Sequence, residues 1–286
     1  MFGPQPGHVN RERKGVNRLA VKIVSLGPND LEAAARYCVG RSTADLAEGI
    51  RAKTAWLREA YTGGLRTTLA TVDGEEAGLI EYGPAEVSPR GLSAPGYWVI
   101  NCLWVRSPHR KMGIASALLA AVVDEAREAH RRTGRPRGVV SLTGQRTWVP
   151  GPRVFGKVGF RKVELSESDR DFGLVTVGFA DTAITGDASM AAAAAIAVPP
   201  PSTERLEEGT VTFAWHPQCP YNALMAARIG EVCSDIGLPY NEVRLAGSAF
   251  PRSPFGTCDL YWGKRLIAWH PLSEPELRKL LETCNR

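Results

Sequence analysis

Val99 to Ala129, VINCLWVRSPHRKMGIASALLAAVVDEAREA, decides how this chain is read. The run from Tyr97 to Val105 is aromatic and β-branched and carries no charge, the composition of a buried strand. Pro108 withholds a backbone donor and biases the residue before it away from the helical basin, which ends the strand. Gly113 admits a tight turn and a close ligand. From Ile114 the apolar residues Leu118, Leu119, Val122 and Val123 recur at helical spacing. Strand, basic turn and amphipathic helix therefore follow one another directly. A helix N-terminus carries unpaired N–H groups and a partial positive charge. The amides from Lys111 to Ser116, backed by the Arg110 and Lys111 side chains, make a cradle for a pyrophosphate.

Within that stretch, LWVRSPHRKMGIASALL resembles motif A of the GNAT acyltransferases, with Leu103, Val105, Pro108, Arg110, Gly113 and Ala115 at the anchor positions. The resemblance implies a mixed α/β fold in which this strand splays from its neighbour. It implies that backbone groups at Leu103 and Val105 hold the pantetheine arm of acetyl-CoA, or another acyl-CoA, as cosubstrate. The turn and helix start (Arg110, Lys111, Met112, Gly113, Ile114, Ala115 and Ser116) then hold its pyrophosphate.

The 286 residues suit about two domains at the usual ~100–200 residues each. Apolar content of 44% and charged content of 23% mark a globular chain, and the net charge of +5 is mild enough to be served by an anionic cosubstrate without nucleic acid. No apolar run reaches the ~18 residues of a membrane span and no signal core opens the chain, so a cytoplasmic location without membrane contact is expected. Six cysteines, Cys38, Cys102, Cys219, Cys233, Cys258 and Cys284, show no CxxC pair, so neither a disulfide framework nor a zinc ribbon is expected, and the thiols are read as reduced. Composition leaves a homodimer open.

Along the chain, residues 1–19 read as a flexible basic tail and residues 20–180 as the first domain. Leu19 to Leu26 alternates as a strand, Asn29-Asp30 offers a cap to a helix through Tyr37, and a second helix covers about Thr43 to Tyr61. Arg66 to Val72 and Glu76 to Tyr82 flank Asp73-Gly74 as a hairpin. After the long helix come a strand at Gly138 to Leu142, a short helix within Trp148 to Val158, and strands from Gly159 and at Phe172 to Phe179. This order is the one the GNAT resemblance implies. Residues 181–209, with the alanine run and Pro199 to Pro201, read as a linker.

Residues 210–286 begin a new pattern. Strand Thr210 to Trp215 leads through HPQCPYN to a helix ending at Gly237, then strand Tyr240 to Leu245. Strands Thr257 to Trp262 and Arg265 to Trp269 flank Gly263-Lys264, and Ser273 with Glu276 caps a last helix. This order resembles a reduced thioredoxin-like fold with CPYN in the place of the redox motif, and Pro254 at its cis-proline. The two halves together are similar to GNAT proteins of the YoaP type, which join an acetyltransferase to a small thioredoxin-like domain.

Acyl transfer needs a polarised thioester carbonyl, a deprotonated amine and a protonated leaving thiolate. The backbone near Leu103 serves the first need. Glu81, late in the third strand, is the candidate base, with Tyr82 second; a solvated strand-edge carboxylate is the bland reading. Phe155 stands where many members of the family carry a tyrosine that protonates the departing thiolate, so the leaving-group acid lies elsewhere. Cys102, one residue before the carbonyl-binding position, is a candidate acyl acceptor or a small core residue. Cys219, ahead of a helix at Pro220, is expected to have a lowered pKa and to react first among the six. Asn222 in place of a second cysteine speaks against dithiol exchange, and His216, His270 and Cys219 make a weak metal set, so no metal is expected. The expected activity is direct acyl transfer from CoA to the amine of a small molecule. The alternative is a thiol-recognising or redox module built on Cys219, coupled to a domain that senses acyl-CoA.

Overall fold

The computed structural model describes residues 21–39, 44–144, 150–163, 172–178, 203–245 and 257–284. The tail, most of the linker, Trp148 and Pro254 lie outside them. Two sheets organise the described residues, one of seven strands in the order β1-β2-β3-β4-β5-β7-β6 and one of four in the order β11-β10-β8-β9.

In the first, β1 (Val21–Leu26) leads through a short helix α1 (Leu31–Arg36) and α2 (Ala47–Thr62) to the meander β2 (Arg66–Val72), β3 (Glu75–Pro84) and β4 (Trp98–Val105). The β2–β3 turn is tight because Asp73 and Gly74 both take positive φ, 51° and 86°, as a two-residue hairpin requires. Asp30 does not cap α1 with its side chain; its Oδ2 instead accepts from the Gly27 N–H at 2.9 Å and closes the preceding turn. Helix α3 (Ile114–Thr133) then crosses to β5 (Gly138–Gly144), and α4 (Pro152–Gly156), β6 (Arg161–Val163) and β7 (Phe172–Gly178) complete the sheet. Of these pairings only β4 with β5 is parallel.

Helix α3 lays Ile114, Leu118, Leu119, Val122, Val123 and Ala126 on one face of the sheet, each large apolar side chain worth about 1.5–3 kcal/mol when fully buried. Gly78 permits the approach, since a Cβ there would lie 2.8 Å from Ile114 Cγ2. Phe155 belongs to this core, edge-on to Phe160 at 5.2 Å. The opposite face is covered by α1 and α2.

The second sheet is built from β8 (Val211–Trp215), α5 (Tyr221–Ile236), β9 (Tyr240–Arg244), β10 (Cys258–Trp262), β11 (Arg265–Ala268) and α6 (Glu274–Cys284). β8 and β9 are parallel, the others antiparallel. The capping box ahead of α6 forms, with Glu276 Oε2 accepting from the Ser273 N–H at 2.9 Å and its hydroxyl at 2.5 Å. The two bodies interlock. Ala52 of α2 packs into the core of the second, and Tyr221 and Leu224 of α5 pack onto the α1–α2 core of the first.

Candidate active site

β4 and β5 stay paired only at Trp98–Val139, Val99–Val140 and Ile100–Ser141. Beyond these, β4 continues along β3 to Val105 while β5 continues along β7 to Gly144, so the two central strands part after Ile100. Alternation tells which backbone groups face the gap. The Arg106 N–H donates to the Ala77 carbonyl at 3.0 Å on the β3 side, which places the backbone groups of Trp104 and Cys102 toward β3 as well. The Val105 carbonyl accepts instead from Arg110 Nε at 3.4 Å, and Leu103 shares its parity. Leu103 and Val105 therefore turn their backbone groups into the gap.

The turn after β4 is built to direct amides outward. Lys111 takes φ +66°, one of two non-glycine residues with positive φ among the described residues, and Gly113 takes φ +85° at the N-cap of α3. A left-handed lysine costs of order 1–3 kcal/mol and is kept where the surroundings impose it, often at a ligand site. Lys111, Met112 and Gly113 are exposed, and a Cβ on Gly113 would meet nothing within 4 Å. The first helical bond from this end runs from Ala117 N–H to the Gly113 carbonyl at 3.0 Å, so the amides of Ile114, Ala115 and Ser116 have no partner within the helix. Arg110 and Lys111 add charge beside them. The fit to a pyrophosphate followed by an extended arm along β4 is good: amides and two cations at one end, a free strand edge at the other.

The other side of β4 holds the polar groups. A bulge between Glu81 and Tyr82 leaves Asn101 without a partner on β3, since Glu81 pairs with Cys102 and Tyr82 with Ile100. Glu81 is fully buried, and its Oε2 takes the ammonium of Lys53, also buried, while its Oε1 accepts from Gln218 Nε2 at 3.1 Å. Burial alone would lower the Lys53 pKa, but the Glu81 carboxylate, and behind it Cys38 and Cys102, hold it above the ordinary lysine value. Glu81 is thus neither solvated nor idle; both its oxygens are engaged. Tyr82 points to the other face, where its hydroxyl donates to Glu125 and burial first, then that bond, raises its pKa. It lies on the α3 side of the sheet, away from the Glu81–Lys53 pair.

The thiols run against the expectation of a lowered pKa. Cys219 does sit ahead of α5 with the Tyr221 amide aimed at it, but burial dominates, and Cys38 adds to it, so the thiol is pushed up to about 12. Helix termini contribute only about 0.3–2 kcal/mol, and desolvation outweighs that here. Burial, then the Glu81 charge, likewise raises Cys102 well above the usual thiol range. Both are neutral thiols at neutral pH. Phe155, fully buried, offers no proton. Asn222 is structural, because its Nδ2 donates to the His216 and Thr257 carbonyls, both at 2.9 Å, and pins the CPYN turn to the start of β10. Among the described residues no group of three His, Cys, Asp or Glu could hold a metal.

Sequence reasoning missed Lys53, Asn101, Arg90 and Gln218. Lys53 had a signal, since Ile50, Lys53, Leu57 and Ala60 share one buried stripe of α2. Gln218 had none, its partner lying 137 residues away.

Comparison with known proteins bears on this geometry. A family profile described as Acetyltransferase (GNAT) family matches residues 35–134, which hold β4, the turn and α3. Over that segment the chain is similar to the acetyltransferases of this family. A curated relative, "Uncharacterized N-acetyltransferase YoaP" of Bacillus subtilis (strain 168), is 22% identical over 252 residues, covering 86% of this chain and 93% of that protein. Among solved structures, the PaiA N-acetyltransferase of Thermoplasma acidophilum in complex with coenzyme A is 16% identical with a TM-score of 0.39, covering 56% of this chain and 100% of that one. The GNAT family N-acetyltransferase YhbS of Escherichia coli in complex with CoA is 16% identical with a TM-score of 0.36, covering 61% and 85%.

Proposed function

We propose that the protein transfers an acyl group, most simply acetyl, from coenzyme A to the amine of a small molecule by direct attack. The observation that carries this is the parting of β4 from β5 after Ile100, next to a turn whose amides face outward. The pantetheine arm lies along Leu103 and Val105, and the pyrophosphate rests on Arg110 to Ser116. The amine nitrogen attacks the thioester carbon, the C–S bond breaks, and the thiolate leaves with a proton. A backbone amide near Leu103 steadies the developing oxyanion. Glu81 takes the amine's proton, with Lys53 keeping a compensating charge against it. The raised thiols of Cys102 and Cys219 support attack without a covalent intermediate, because a neutral thiol is a poor nucleophile.

The same reading treats residues 20–180 as the acyltransferase domain and residues 210–286 as a thioredoxin-like domain, supported by the β8-α5-β9 unit followed by β10, β11 and α6. Here CPYN serves packing, and redox exchange is not its role. The test is transfer from labelled acetyl-CoA to a panel of small amines with the full chain, reading N-acetyl product by mass. Product formation is expected; release of free acetate alone would refute the proposal.

A further inference from the structure

The second body does more than accompany the first. Its turn from His216 to Tyr221 lies against α2. A Cβ on Gly49 would come within 1.9 Å of the Pro220 carbonyl oxygen, so a glycine is needed for the approach. Trp56 meets the His216 ring edge-on at 5.1 Å. His216 Nδ1 accepts from the Gln218 N–H at 3.0 Å, which fixes the turn and aims the Gln218 amide at Glu81. On the first body, Asn101 is buried at 1% exposure; its Oδ1 accepts from Ser88 at 2.6 Å and its Nδ2 has no partner among the described residues. The bulge puts Asn101 beside Cys102, where β4 leaves β5. Arg90 donates through Nη2 to the Asn101 carbonyl at 2.8 Å, and its charge is felt at Cys102, Cys219 and Cys258. Burial disfavours that guanidinium charge, and the Glu81 carboxylate acts against this.

We propose that the acyl-acceptor site is composite, with Glu81, Asn101 and Arg90 from the first body and Gln218 from the second, and that it takes a small amine bearing a carboxylate. This rests on the acyltransferase reading. Asn101 Nδ2 and Arg90 receive the carboxylate of the acceptor, and Gln218 is a positioning residue that holds Glu81 toward its amine. The turn roofs this side of β4, so a free amino acid fits where a protein terminus does not. Around Glu81 stand Lys53 and Tyr61 of α2, Cys38, Cys102 of β4 and Arg90, with Gln218 from the second body.

The experiment uses the full chain with acetyl-CoA and three sets of acceptors: amino acids, their decarboxylated amines, and short peptides with free N-termini. Amino acids should lead the decarboxylated amines by about tenfold or more in kcat/KM, since a charge-assisted contact to a carboxylate contributes about that much. Gln218→Leu should lower acceptor kcat/KM by about tenfold through kcat, with acceptor KM little changed, because the carboxylate loses the donor that holds it toward the amine. Acetyl-CoA affinity by calorimetry should stay within about twofold of wild type in that variant, and it also reports that the variant is folded. Asn101→Ala should erase the preference for the carboxylate. Transfer to amines in general without preference for amino acids, or to peptides as well as to amino acids, overturns the proposed acceptor. A Gln218→Leu variant whose acceptor kcat matches wild type overturns the composite site. Both outcomes leave the acyltransferase reading standing, whereas absence of transfer to every amine refutes that reading itself.

Discussion

Lys53→Met leaves the Glu81 carboxylate buried with no cation beside it. The two side chains are 1% and 0% exposed, so solvent does not screen the loss. Removing one partner of such a pair costs about 3–5 kcal/mol, since the survivor stays desolvated. The exposed pair of Arg36 with Glu32, at 53% and 69%, is the internal control: an i,i+4 surface pair contributes about 0.3–0.5 kcal/mol, so Arg36→Ala should barely move stability. Urea unfolding followed by tryptophan fluorescence reads both. The double variant Lys53→Met with Glu81→Gln should recover part of the loss, because no lone charge is then buried. The pH dependence carries a sign. The folded pKa of Lys53 is raised, so its contribution is full below the ordinary lysine value near ~10.4 and fades only as pH rises through the higher folded value. The gap between wild type and Lys53→Met should therefore not shrink between about pH 7 and 9. A loss under about 1 kcal/mol, with the double variant simply additive, would refute the buried pair.

At pH 7.5 a thiol with a pKa of about 12 is ionised to only about one part in 30,000, so Cys219 should label with iodoacetamide more slowly than Cys284 on the last turn of α6; mass mapping that finds Cys219 first would contradict the burial argument. Phe155→Ala should cost about 3–5 kcal/mol of stability in urea, as expected for emptying a fully buried aromatic site, and leave the shape of the pH–rate profile unchanged; a lost alkaline limb would tie proton transfer to that position. Gly49→Ala should destabilise the full chain by about 1–3 kcal/mol through overpacking against Pro220, and a urea midpoint equal to wild type would show that the two bodies are not seated as described.

The local features were readable because their causes are local. Asp73-Gly74 gave its hairpin, Ser273 and Glu276 their cap, and Pro108 with Gly113 the break between β4 and α3. Cys219 shows how a local argument fails: the helix-end amide is there, but the packing of a distant helix against the turn decides the thiol's environment. Glu81 is legible from its place on a strand, yet its partners come from α2 and from a turn far along the chain, which no spacing in β3 reveals. The bulge at Asn101 is equally hidden, since it arises from a register shift between two strands whose residues alternate normally.

The central claim is that Val99–Ala129 forms an acyl-CoA site, and calorimetry of acetyl-CoA with the full chain, wild type beside Gly113→Glu, tests it most directly. The account predicts one-to-one binding to wild type, and loss of about tenfold or more in the variant, whose side chain brings a negative charge into the open space over the α3 amides. Equal affinity in the two proteins, or no binding to wild type, would contradict it.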